Sequence, residues 1–312
     1  MKFWVRLTDN DWFRNLSALK PDEVNFWQPG GKRTFRAETG SPFLFKLHSP
    51  LNYIVGGGFF VKYSALPTSL AWQAFEEKNG ASDYESFLEL IRKHRAGQEK
   101  TEHNPEIGCI VLASPFFWER DMWLPLPEDW GRGIQQGKTY DTNEPVGASL
   151  WGKVRERIGA NPEVSTSSAD KDAMGAELTR LYGAGYIAYP RLGQGAFRVL
   201  VTDAYNRRCA ITGERTLPAL DAAHIKPYNQ SGPNQISNGL LLRSDVHKLF
   251  DLGYITITPA LNIEVSRRIK EEYENGRDYY ALHGKQLAVI PSLSEDRPSP
   301  KFIEWHNQRF LG

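Results

Sequence analysis

The sequence is poor in cysteine, with only Cys109 and Cys209 in 312 residues. That excludes a cysteine-rich disulfide framework and fits a reducing compartment. No window approaches the roughly eighteen consecutive apolar residues that a membrane-spanning helix requires. The opening stretch, MKFWVRLTDNDWF, is charged throughout and lacks the apolar run of a signal peptide. A cytoplasmic protein is the expectation. A charge excess of one sign is also missing: 38 Lys and Arg against 37 Asp and Glu leave a net +1, so overall charge announces no polyanionic partner. The balance is local instead. Between residues 191 and 250 there are eight basic and four acidic side chains, an excess of +4.

Apolar residues, at 40%, and aromatics, at 12%, are plentiful, enough for two domains with ordinary cores. Residues 1–155 read as a β-rich unit. FLFKL at 43–47, YIVGGGFFVKYS at 53–64 and IGCIVLASPFFW at 107–118 are strand-like runs bounded by Gly, Pro and Asn. Leu70 to Arg95 has helical spacing between them. Strands around a short helical insert predict a small, partly open barrel. Residues 156–189, which include ANPEVSTSSADKDAMGA, read as a polar linker flanked by short helices. A second unit, 190–312, follows and opens with a helix from Ala196 to Tyr205.

The chemistry concentrates in DAAHIKPYNQSGPNQISNGLLLRSDVHKLFD, residues 221–251. The pattern predicts a strand at Leu220–Ile225, a polar loop over 227–237 and a second strand at Gly239–Leu242. A helix from Asp245 to Leu252 follows, with Ser244 as N-cap and Gly253 as stop. His247 and Asp251 then stand one turn apart on one helix face, a spacing at which imidazole and carboxylate can share a cation. A neutral imidazole such as His224 can activate water near pH 7. An Asn such as Asn238 can hold an imidazole in one orientation.

The segments AAHI, NGLLL and SDVHKLFD, within residues 190–260, resemble the HNH nucleases, whose ββα fold surrounds one metal ion. The resemblance implies that His224 is the general base, that Asn238 braces the hairpin and orients it, and that His247 and Asp251 bind a divalent metal, Mg²⁺ or Mn²⁺. Many relatives carry a further ligand just before the base, where this chain has Ala223. Asp221 is a substitute of low rank, because strand alternation puts it on the face of Ala223 rather than of His224. Many relatives also pin the motif with CxxC pairs on zinc. Here Cys209 is followed by Thr212 in the second position, so no structural zinc is expected and Cys209 is read as a buried core thiol.

DEVNFWQPGG at 22–31 and GSPFLFKLHSPLNYIVGGGFF at 40–60 resemble PUA-like domains of the EVE and ASCH kind. That superfamily, like the related SRA domains, commonly binds modified bases. Trp27, Phe45, Phe59 and Trp118 are the candidate lining of a base pocket, and Trp27 stands out in a polar Asn-Phe-Trp-Gln-Pro-Gly context read as a loop. The combined expectation is an α+β chain: a PUA-like β-barrel domain joined to an HNH nuclease domain. It would cut duplex DNA carrying modified cytosine, as a homodimer because two strands need two active sites. The rival readings are an HNH nuclease acting on unmodified DNA or RNA, and a non-catalytic binder of modified nucleic acid.

Overall fold

The computed structural model describes residues 1–31, 34–95, 103–131, 133–160 and 192–312. The chain divides into two compact units, Met1–Arg191 and Leu192–Gly312. Both mix helices and sheet, so the α+β class holds. The expected linker at 156–189 falls almost wholly outside the described residues.

In the first unit the elements run β1 (Lys2–Thr8), α1 (Asn10–Leu19), β2 (Glu23–Gln28), β3 (Pro42–Leu47), β4 (Tyr53–Pro67), α2 (Thr68–Phe75), α3 (Tyr84–His94), β5 (Glu106–Phe117), β6 (Leu124–Pro125), β7 (Gly137–Asp141) and α4 (Pro145–Ala160). The sheet order is β2-β5-β4-β3-β1-β7, with β6 on β4. β1 and β3 are parallel and the other pairs antiparallel. The sheet is an open path whose ends, β2 and β7, do not pair among the described residues; the expected barrel is not closed by these pairings.

Both faces of this sheet are covered, which explains why PFLFKL in β3 is buried at every position. Phe43, Phe45 and Leu47 point to one side, against Trp12, Phe13 and Leu16 of α1. Leu44 points to the other, in the cluster with Leu150, Trp151 and Val154 of α4. Asp9 caps α1 by accepting from the amides of Asp11 and Trp12. The helical spacing read over 70–95 resolves into two helices: α2 stops at Phe75, where Glu76 takes φ +45°, and α3 starts afresh after Asp83, whose side chain accepts from the Ser86 amide.

The second unit runs α5 (Gln194–Ala204), β8 (Leu220–His224), β9 (Gly239–Arg243), α6 (Ser244–Asp251), β10 (Ile255–Ile257), β11 (Ile263–Val265), α7 (Arg268–Tyr273), α8 (Arg277–Tyr280) and α9 (Pro300–Asn307). β8 and β9 form an antiparallel hairpin in which His224 faces Gly239. α5 packs across it through Phe197 and Val201. A Cβ at Gly239 would lie 2.5 Å from Val201 and 3.0 Å from Phe197, so glycine is what lets α5 approach the hairpin. Ser244 is the first residue of α6 rather than its cap: its hydroxyl donates to the Ala219 carbonyl. The first turn is secured by Asp245, which takes two bonds from Arg243 at 2.6 and 2.8 Å and one from Tyr279.

Candidate active site

His224 ends β8 and lines a cleft of about 470 Å³ with Ala222, Tyr228, His247, Asp251 and Arg309. Its ring lies flat on Phe197, with centroids 3.9 Å apart and planes at 12°. The Asn234 amide nitrogen donates to the Leu192 carbonyl at 2.7 Å, which turns Asn234 Oδ1 toward His224 Nε2 at 2.8 Å. Nε2 therefore carries the proton and donates, leaving Nδ1 of the neutral ring with its lone pair. Burial lowers the His224 pKa from its ordinary value; His247 lowers it further, while the Asn234 bond and Asp251 oppose the shift. The result is an imidazole that stays neutral near pH 7, with its ring face and its Nε2 edge both held.

Asn238 serves a different part of the hairpin. It is fully buried. Its Oδ1 accepts from the Lys226 amide at 2.9 Å, and its Nδ2 donates to the carbonyls of Lys226 at 2.9 Å and Pro233 at 3.0 Å. Asn238 thus ties down the 226–238 loop. The side chain bonded to the His224 ring is Asn234, which sequence reading did not single out. Its signal was only a polar residue in a loop, and nothing local distinguishes it from its neighbours.

Across the cleft, α6 presents His247 and Asp251, with Nε2 3.3 Å from Asp251 Oδ2. Asp221 reaches the other ring nitrogen, Nδ1, at 3.5 Å, and lies 3.9 Å from Arg198. β8 lines the cleft with Ala222 and His224, which alternate with Asp221, and Asp221 meets the site through the His247 ring of α6. Partial desolvation pushes the Asp251 carboxyl above its ordinary value, against the lowering influence of the two nearby imidazoles.

Among the described residues no three His, Cys, Asp or Glu side chains form a ready-made metal cage. His247 and Asp251 offer a pair. A pair suits a magnesium-type ion, which keeps several waters and is commonly bound by one or two carboxylates plus substrate phosphate. Asp251 offers a hard oxygen donor and His247 a borderline imidazole nitrogen, a partial set that substrate phosphate and solvent would complete around a divalent cation. Cys209 is buried, and its sulfur accepts from the amides of Thr212 and Arg243, each at 3.3 Å.

The candidate base-pocket residues belong to the first unit. Phe45, Phe59 and Trp118 are 0%, 4% and 3% exposed, so none offers a free ring face to a base. Trp27 is half-buried and lies in β2 rather than in a loop, paired opposite Cys109 of β5. Strand pairing there outweighs the polar composition, and Pro29-Gly30 begins only after the strand ends. The Trp27 indole donates to the Asn79 carbonyl at 3.0 Å and packs on Phe87 and His94.

Solved structures give distant similarities. The ASCH protein of Zymomonas mobilis aligns with 10% identity and a TM-score of 0.34, over 48% of this chain and 93% of its own. A point mutant of the same protein covers 49% of this chain and 99% of its own, with 9% identity and a TM-score of 0.33. A modification-dependent TagI restriction endonuclease aligns with 13% identity and a TM-score of 0.27, over 93% of this chain and 76% of its own. No curated protein matches the chain. No helix among the described residues is long and apolar enough to cross a membrane. Residues 209–258, which run from the Cys209 turn through the hairpin, α6 and β10, match the family described as HNH endonuclease, and on that match the chain is an endonuclease carrying an HNH segment.

Proposed function

We propose that the second unit, residues 190–312, is a metal-dependent nuclease domain that hydrolyses phosphodiester bonds in duplex DNA. The observation that supports this reading most directly is His224, kept neutral by burial and oriented by Phe197 and Asn234, opposite His247 and Asp251 in one cleft. His224 Nδ1 takes the proton from a water in line with the phosphorus, and the leaving 3′ oxygen departs on the far side. His247 and Asp251 would hold the divalent ion, Mg²⁺ or Mn²⁺, with Asp221 fixing the His247 ring from its other nitrogen. Once bound, that ion neutralises charge on the phosphate and the leaving oxygen.

In the same reading, residues 1–155 form a PUA-like domain that recognises modified cytosine, 156–189 join the two domains, and two copies act together on the two strands. This part rests on the resemblance of the 22–31 and 40–60 segments. Trp27 is the one of the four candidate aromatics that retains exposed surface. A base leaving the stack needs an aromatic partner to offset lost stacking.

The experiment digests matched plasmids, one unmodified and others carrying 5-methylcytosine or 5-hydroxymethylcytosine, with and without Mg²⁺ or Mn²⁺. The expected result is cutting confined to modified DNA, dependent on metal and abolished in His224→Ala. Equal cutting of all plasmids removes the base-reading role and keeps the nuclease. Undiminished cutting by His224→Ala removes the assigned base.

A further inference from the structure

The matched segment ends at residue 258, yet the cleft does not. Its wall is completed by Arg309, which follows α9 near the end of the chain. The tail carrying Arg309 is fastened to the end of α6, the helix of His247 and Asp251. Gly253, at φ +78°, terminates that helix, and a Cβ there would lie 2.4 Å from the Arg309 carbonyl oxygen. The Leu311 amide donates to the Gly253 carbonyl at 2.9 Å, and the Ser266 hydroxyl donates to the Leu311 carbonyl. A residue with a side chain at 253 could not accept this seating unchanged.

The Arg309 side chain is also arranged in advance. Its guanidinium sits 4.6 Å from the Trp305 ring centroid, and Nη1 donates to Gln230 Oε1 at 2.6 Å. The Lys226 ammonium lies over the same indole at 5.8 Å. No carboxylate lies within ion-pair distance of either cation among the described residues. Two cations therefore share one aromatic ring beside a cleft whose other charged groups include Asp251. An incoming phosphodiester meets repulsion from that carboxylate, and a guanidinium supplies the opposing attraction.

We propose that Arg309, seated on Trp305 with Lys226 beside it, is a phosphate-binding site that anchors the DNA backbone at the mouth of the His224 cleft. The proposal rests on the nuclease reading above. A guanidinium matches phosphate with two parallel N–H donors. Stacking on Trp305 and the Gln230 bond restrict its rotamers before DNA arrives, so less freedom is lost on binding. The remaining N–H groups are available to the ligand.

The test uses the full chain with His224→Ala, so that DNA stays intact, and a fluorescein-labelled duplex titrated at several salt concentrations. Adding Arg309→Gln should weaken binding about tenfold, as loss of one charge-assisted hydrogen bond does. It should also flatten the plot of log K against log salt by about 0.9, the value for one phosphate contact. Arg309→Lys should keep the slope and lose affinity several-fold, because the two-pronged geometry is gone. An unchanged slope and affinity in Arg309→Gln overturns the proposal. If that variant fails to fold, Arg309→Lys decides alone, and wild-type affinity there overturns it equally. Cleavage by the otherwise native chain is scored separately. No cutting with an Arg309-dependent slope strikes the nuclease reading and keeps the phosphate contact; cutting with an Arg309-independent slope does the reverse.

Discussion

Acid should loosen the C-terminal tail through one residue, His306. It is 5% exposed in α9, and its ring stacks on Phe250 of α6 with centroids 3.7 Å apart. Nε2 donates to the Phe250 carbonyl at 2.9 Å, and Nδ1 lies 2.7 Å from the Thr256 hydroxyl. Burial drives its pKa from 6.5 down to about 4, with a smaller push from Arg309. The folded unit therefore holds this ring neutral, whereas the unfolded chain protonates it near pH 6.5. Between the two values the unfolded state binds more protons, so stability falls as pH falls. At 1.36 kcal/mol per pKa unit the displacement amounts to about 3 kcal/mol, fully present above the unfolded pKa and lost by about pH 4. The assay is urea unfolding of the full chain near pH 7 and near pH 4, resolved by hydrogen exchange of amides in the second unit. Carboxylates add their own pH dependence, so the reading is a difference against His306→Gln, which can still donate to Phe250 but does not titrate. The wild-type unit should lose about 2–3 kcal/mol more than the variant over this interval. Equal losses would refute the reasoning.

His224→Ala should reduce cleavage by about 10²–10⁴ with the second unit still cooperatively folded, and near-normal turnover would remove it as base. The acid limb of the kcat/KM profile should lie below pH 6.5, because burial lowers the His224 pKa. Asn234→Ala should move that limb lower still, since the Asn234 bond raises it; a limb moving upward would contradict the assigned hydrogen bond. Gly253→Ala should destabilise the second unit by about 1–2 kcal/mol from left-handed backbone strain alone and weaken duplex binding by displacing Arg309, as a melt and an anisotropy titration would show. Wild-type behaviour in both would mean that the tail is not seated as described.

The hairpin and helix were legible because their cues are local. The predicted helix at Asp245–Leu252 is the observed Ser244–Asp251 shifted by one residue, set by the spacing of Val246 and Phe250 and by a glycine stop. The site's outer parts were not legible, for separable physical reasons. Phe197 and Arg309 join His224 only through tertiary packing, which one sequence does not specify. Asn234 depends on the loop path that Asn238 imposes, so its role exists only after folding. Asp221 joins the site through the His247 ring of α6, a contact between two elements that alternation within one strand does not describe.

In the first unit the same limit works in the opposite direction. Aromatic residues between Gly and Pro signal strands, and the strands are present, but ring type does not report ring accessibility. Phe45 packs with Trp12, Phe26, Phe43 and Phe117, so its full burial follows from the sheet having helices on both faces. Replacing it would leave a cavity and cost stability before it could alter recognition. Trp27 occupies intermediate ground. Its ring and its N–H both brace β2, against α3 and the Asn79 turn, while part of its surface stays open. A strut and a stacking platform call for the same residue, and only the N–H bond separates the roles. Trp27→Phe removes that bond and keeps a ring, so it isolates the strut from the platform in a way that Trp27→Ala, which removes both, does not.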